Sequence, residues 1–166
     1  MKEMDKKDIW LVVVNVFAAS RKAGSIWKKA AVMLGDAGVS YKAMFTGGAD
    51  NAIAISRKAC ASGYRKFIAV GGDGTVHDVL NGIAEHLGSQ AYGMDGIADY
   101  TLGVLPVGSG NDWVKSTGVP RDIKGAVDVI AAGYTGLQDV VRVEVLDPAA
   151  MESDPVSVSY MANVGG

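Results

Sequence analysis

Phe67-Ile68-Ala69-Val70-Gly71-Gly72-Asp73-Gly74-Thr75-Val76 is the stretch whose reading decides the fold. Its apolar start makes a short buried strand over Phe67 to Val70. Its glycines make a tight turn, and Val76, Val79, Leu80, Ile83 and Leu87 then recur at helical spacing. A strand that passes through a glycine-rich turn straight into a helix is the repeating unit of a parallel sheet. Thr75 and Asp78 stand three apart as a capping-box-like pair with the acid shortened from Glu to Asp.

The same unit occurs on either side. Upstream, Ile9 to Val16 predicts a central strand and Gly24 to Gly35 a helix carrying Ile26, Trp27, Ala30, Ala31, Met33 and Leu34. Val39 to Phe45 predicts a second strand, and Thr46-Gly47-Gly48 leads to a helix over Ala49 to Ser62. Downstream, a loop from Gly88 to Asp99 precedes a strand over Leu102 to Leu105. A second glycine-rich turn, Pro106-Val107-Gly108-Ser109-Gly110-Asn111-Asp112, opens a short helix, and Asp122 to Ala132 makes another. The alternation predicts an α/β domain over 1–137 with a mostly parallel sheet and helices on both faces. From Gln138 the texture changes. Val140, Val141, Val143 and Val145, then Val156, Val158, Tyr160 and Ala162, read as two antiparallel strands joined by a polar connection over Asp147 to Pro155.

A chain of 166 residues, 49% hydrophobic and 20% charged, can bury one core. Its net charge of −2 argues against a broad nucleic-acid-binding surface. Cys60 has no partner for a disulfide and no Cys or His at metal-ligand spacing; it reads as a small side chain on a buried helix face. Ile9 to Ala19 could pass for a signal sequence, but Asn15 interrupts it and Val12-Val13-Val14 suits a buried strand better. No stretch has the roughly 18 apolar residues of a membrane span. His77 and His86 read as solvent-facing, Trp10, Trp27 and Trp113 as core or interface, and Lys22, Lys28 and Lys29 as an exposed helix face.

Phosphate oxygens are best met by backbone N–H groups at a strand-to-helix turn, and glycines allow the close approach this needs. Asp73 stands in the middle of such a turn, where a carboxylate would repel a phosphate. An acid there points to an intervening Mg²⁺ or to a proton relay. The spacing G-x-G-x-x-G of dinucleotide folds is absent, as is a Walker A run ending in Gly-Lys-Ser or Gly-Lys-Thr.

The run Gly71 to Thr75, continued through Asp78-Val79-Leu80-Asn81-Gly82, resembles the signature of the diacylglycerol kinase catalytic family. Leu105-Pro106-Val107-Gly108-Ser109-Gly110-Asn111-Asp112-Trp113 is similar to the family's Leu-Pro-x-Gly-Thr-x-Asn-Asp-Phe motif in order and spacing. Asn15, Thr46 and Asp139 are weaker matches. The resemblance implies a phosphofructokinase/NAD kinase-like nucleotide-binding domain and transfer of the ATP γ-phosphate to a lipid hydroxyl such as that of diacylglycerol. It implies that Asn15, Thr46, Gly71, Gly72, Asp73, Gly74, Thr75 and Ser109 line the nucleotide site, with Asp73 catalytic and near Mg²⁺. Asn111 and Asp112 would shape the cleft from the facing loop, although for Thr46 helix capping explains the residue equally well.

The family's Asn-Pro-x-Ser-Gly turn stands here as Asn15-Val16-Phe17-Ala18-Ala19, losing the proline, the hydroxyl and the glycine. Ser109 for Thr and Asp78 for Glu are milder changes. In the family a β-rich second domain follows and binds the lipid, so 138–166 is expected to hold that domain's first strands, whose open edges invite self-association as a homodimer. A cytoplasmic protein with peripheral contact at the inner membrane face is expected. The resemblance places a catalytic carboxylate and the lipid selectivity in that second domain, and since the sequence stops at Asn163-Val164-Gly165-Gly166 it is expected to be a fragment that binds nucleotide better than it turns over. NAD kinases and phosphofructokinases share a Gly-Gly-Asp-Gly-like turn and are the rival kinases. A non-catalytic nucleotide-binding module is the rival of another class.

Overall fold

Leu11, Val12, Val13 and Val14 are all completely buried, as an unbroken apolar run should be in a sheet covered on both faces. The computed structural model describes residues 5–18, 23–47, 51–90, 93–107, 110–146 and 157–162. Four strands, β1 (Trp10–Val14), β2 (Tyr41–Phe45), β3 (Lys66–Gly71) and β4 (Thr101–Pro106), form one parallel sheet in the order β2-β1-β3-β4. Val14 pairs with Phe45 on one side and Val70 on the other, so the three strands end level.

Among the described residues five α-helices accompany them: α1 (Ala23–Asp36), α2 (Ala52–Ala61), α3 (Asp73–Gly88), α4 (Asp112–Thr117) and α5 (Ile123–Ala132). On one face α2 and α3 bring Ile55, Ala59, Val76, Val79 and Ile83 against Leu11, Val13, Phe67 and Ala69. On the other, α1 and α5 bring Trp27, Ala30, Leu34, Val127 and Ile130 against Val12, Val14, Ile68 and Val70. The alternation of side chains along β1 and β3 thus feeds two cores. Cys60 is buried in the first of them, as its helix face predicts.

The helices α2 and α3 touch closely because of Gly82. A Cβ there would lie 2.7 Å from the Ser56 Cβ and collide with the Ile53 carbonyl. Asn51 caps α2 by accepting from the Ala54 N–H at 2.8 Å, and Asp122 caps α5 through the Gly125 N–H at 2.8 Å.

Two expectations are corrected. The loop predicted over Gly88 to Asp99 contains a 3-10 helix, Gly93–Asp99, whose Ile97 packs on the first core. The capping box is not formed: α3 starts at Asp73 with Gly72 at its cap, and Thr75 lies inside the first turn. Thr75 finds a stronger partner elsewhere.

After α5, β5 (Val141–Val145) and β6 (Ser157–Met161) pair antiparallel, Val143 opposite Ser159. The connection expected over Asp147 to Pro155 lies outside the described residues. No helix among the described residues is long and apolar enough to cross a membrane.

Candidate functional site

In the strand order β2-β1-β3-β4 the connections leave β1 in opposite directions. The chain steps one way from β1 to β2, then crosses over β1 to β3 and continues to β4. Helices α1 and α2 consequently lie on opposite faces, and the carboxyl ends of β1 and β3 flank the topological switch point, the position at which open α/β sheets bind ligands. Asn15 follows β1 there, and Gly71 to Thr75 follows β3.

Three polar side chains meet at this point. Asn15 Nδ2 donates to Thr75 Oγ1 at 3.0 Å, and Asn15 Oδ1 accepts from the Phe17 N–H at 3.0 Å. Thr46, at the end of β2, accepts from the Val16 N–H at 3.3 Å and reaches Asn15 Oδ1 at 3.5 Å. Thr46 does not cap α2, which Asn51 does. Asn15, Thr46 and Thr75 thus lock the ends of three adjacent strands together, with Thr75 buried.

The glycines of the first turn have three different tasks. A Cβ on Gly71 would lie 2.7 Å from the Thr75 Cβ, so Gly71 makes room for Thr75 rather than for a ligand. A Cβ on Gly72 would approach Asn111 Oδ1 at 3.6 Å and the Val107 carbonyl at 3.9 Å, so Gly72 faces the second turn. A Cβ on Gly74 would meet nothing within 4 Å. Gly74 is exposed in the first turn of α3, whose cap residue supplies no side-chain bond. A helix start of this kind presents backbone N–H groups and a partial positive charge to an anion.

Asp73 bridges the two glycine-rich turns. Its Oδ2 accepts from the Asp112 N–H at 3.0 Å and its Oδ1 from the Trp113 N–H at 2.9 Å. Both are first-turn amides of α4, so the carboxylate caps a helix 39 residues further along. Trp113, buried as expected, anchors that helix in the core. Asn111 is buried at the cap position with φ 51° and ψ 52°, a left-handed conformation that asparagine tolerates better than most residues. The Asp112 side chain turns outward and pairs with Lys115. Ser109 lies outside the described residues, and Asp139 is exposed between α5 and β5.

The structure therefore brings Asn15, Thr46, Thr75, Asp73, Asn111 and the glycines Gly71, Gly72 and Gly74 to one end of the sheet. His77, expected to face solvent, instead meets Ser159 Oγ at 3.0 Å and Asp78 at 3.5 Å. Sequence spacing carried no sign of that contact, because its partner is 82 residues away.

Among described residues no group of three or more His, Cys, Asp or Glu side chains is placed to hold a metal ion. One carboxylate beside the exposed first turn of α3 is a donor set suited to a Mg²⁺ that arrives on phosphates rather than in a protein cage. Each Asp73 oxygen accepts one N–H and keeps a further lone pair, so the residues present fit that group.

Comparison with known proteins agrees with this geometry. A protein named diacylglycerol kinase from Staphylococcus epidermidis is 37% identical over 129 residues, covering 78% of this chain and 38% of that protein. One of the same name from Staphylococcus carnosus is 36% identical over 109 residues, covering 66% and 32%. The chain thus spans about two fifths or less of the length of these relatives. A crystal structure of a diacylglycerol kinase from Bacillus anthracis str. Sterne superposes with a TM-score of 0.60 at 26% identity, covering 83% of this chain and 42% of that one, and has the same NAD kinase-like arrangement. The family model described as the diacylglycerol kinase catalytic domain matches residues 9–143, and with the two glycine-rich turns facing each other across the sheet end, the chain belongs to that family.

Proposed function

We propose that this chain is the ATP-binding half of a lipid kinase that transfers the γ-phosphate of ATP to a lipid hydroxyl, with diacylglycerol as the acceptor class. The observation that carries the reading is the bridge from Asp73 to the Asp112 and Trp113 amides beside the open start of α3. It holds two glycine-rich turns as one preorganised wall at the switch point of the sheet. Phosphoryl transfer depends on positioning and charge neutralisation more than on covalent chemistry by the protein, and a preorganised wall of N–H groups serves both.

In this reading the phosphates lie against the first-turn N–H groups of α3, where Gly74 leaves the space. Thr75 and Asn15 act from beneath by fixing the turn, and Thr46 fixes Asn15. Mg²⁺ would be met by Asp73, directly or through water, and would supply neutralisation of the phosphate charge. Asp73 also orients α4 and with it Asn111. Ser109 and Asp112 belong to the facing wall by resemblance. The acceptor hydroxyl enters from the side of the β5–β6 ladder. Peripheral contact with the inner membrane face and pairing of two copies through strand edges belong to the same proposal.

The turn Asn15-Val16-Phe17-Ala18 favours a second reading, a non-catalytic nucleotide-binding module. It offers no hydroxyl between Asn15 and Ala18, and Phe17 is 62% exposed where a phosphate contact would serve transfer.

Titration with ATP and MgCl₂ by calorimetry tests the site. The unmodified chain should bind, and Asp73→Ala should weaken binding at least ~10-fold, the equivalent of one charge-assisted hydrogen bond. Undiminished binding by the variant overturns the assignment. Diacylglycerol, NAD and a sugar phosphate offered together as acceptors to a chain extended through the second domain would separate the lipid kinase from its rivals. No labelled product with any of them favours the binding module.

A further inference from the structure

We infer that Asn81 is a positioning residue: its side chain joins the nucleotide-site helix α3 to strand β6 and fixes where the β5–β6 ladder stands relative to the phosphate wall. The inference rests on the nucleotide reading only for what lies at the start of α3.

Asn81 Oδ1 accepts from the Tyr160 N–H at 2.8 Å, and Asn81 Nδ2 donates to the Tyr160 carbonyl at 2.8 Å. The same Nδ2 donates to the His77 carbonyl at 2.8 Å, so both amide protons and the carbonyl of this buried side chain are used. The reciprocal pair also fixes the amide orientation, since a flipped side chain would set donor against donor.

In an antiparallel ladder the N–H and C=O of one residue point to the same side. Tyr160 sits opposite Arg142 but gives both groups to Asn81, so they face away from β5. The Asn81 amide therefore imitates the peptide group of a neighbouring strand and occupies the open edge of β6 at that residue. One helical turn earlier, His77 meets Ser159, the preceding residue of β6. Residues 77 and 81 share a helix face, so the two contacts define both register and angle.

Asn81 lies two turns from Asp73 on one continuous helix, Asp73–Gly88. A helix transmits displacement as a rigid element, so phosphate engaged at its start is felt at β6 through Asn81. Leucine has the branched skeleton of asparagine, is bulkier and has no hydrogen bonds to offer, which makes Asn81→Leu the informative variant.

Amide hydrogen exchange followed by NMR on the chain, unmodified and as Asn81→Leu, tests this. The Tyr160 amide should exchange at least ~10-fold faster in the variant, as expected for loss of one buried hydrogen bond, with amides of β1 and β3 unchanged. Saturating ATP and MgCl₂ should shift the Tyr160 resonance in the unmodified chain and leave it in place in the variant, while both bind nucleotide equally. Equal Tyr160 exchange rates in the two chains overturn the inference, and so does an equal nucleotide-induced shift. Should Asn81→Leu fail to fold, the side-chain amide protons of Asn81 in the unmodified chain decide: slow exchange supports the clamp, and exchange as fast as in a free asparagine overturns it. Failure of the unmodified chain to bind ATP would sink the nucleotide reading, and the exchange comparison would still judge the clamp.

Discussion

Two valine-rich runs in this chain meet opposite fates. Leu11 to Val14 in β1 are wholly buried, whereas Val141 and Val145 in β5 are 48% and 54% exposed. Both are strands, and both are rich in β-branched residues that favour that conformation. Their neighbours differ: β1 has a strand on each side and helices on each face, while among the described residues β5 pairs only with β6. Local spacing specifies a strand, but burial needs partners on each face, and the second region has few of them among the described residues. Its docking rests on polar contacts, chiefly Asn81 with Tyr160 and His77 with Ser159 Oγ at 3.0 Å.

That contrast can be broken by mutation. The largest effect is expected at Phe67, fully buried between the sheet and α2–α3. Phe67→Ala should lower the unfolding free energy by about 4 kcal/mol in urea titration, from lost burial and the cavity left behind. Gly82→Ala comes next, at about 2 kcal/mol, because its Cβ would press on the Ser56 side chain and the Ile53 backbone. Asp73→Ala should cost about 1.5 kcal/mol through the lost cap of α4, on top of its effect on ATP binding.

Alkaline pH probes the same buried layer. Burial pushes the Cys60 thiol up from 9.0 to about 12, against the pull of a hydrogen bond with Tyr100 and of the Arg65 charge. Burial, then Cys60, pushes the Tyr100 phenol up from 10.0 to about 12. The folded state therefore holds both protons more tightly than the unfolded chain. This contribution to stability is complete below the unfolded values and is lost as pH rises through about 12. The Tm should fall between about pH 9 and about pH 12, and should fall less in Cys60→Ala; an equal fall in both would show that the buried thiol is not responsible. The smallest effect is expected at Val145→Thr, under about 0.5 kcal/mol, because its side chain is already in water. A cost there approaching that of Phe67→Ala would erase the distinction between the two regions.

Much of the fold was legible because the relevant signals are local. The apolar runs of β1 and β3, the helical spacing of Val76, Val79, Leu80 and Ile83, and the two glycine-rich turns all declare themselves within a dozen residues. Parts of the candidate site were legible for the same reason, since a glycine-rich strand-to-helix turn with an acid at its centre is a local signal. Other parts were hidden. Nothing near Gly71 says that its missing side chain makes room for Thr75, and the 3-10 helix after Gly93 has a pattern too short to read. The Thr75–Asp78 spacing looked like a capping box, but Asn15 bonds the Thr75 hydroxyl instead, across 60 residues of sequence.

By itself, then, the sequence determined the alternation of strands and helices, the two glycine-rich turns and the family that carries them, because backbone preference and side-chain period act over one or two turns of chain. Only the tertiary structure decided the strand order that puts the switch point between β1 and β3, the use of Asp73 as the cap of α4, and the seating of β6 on Asn81. Each of these joins residues tens of positions apart, and hydrogen-bond geometry between such groups exists only once the chain has closed around them.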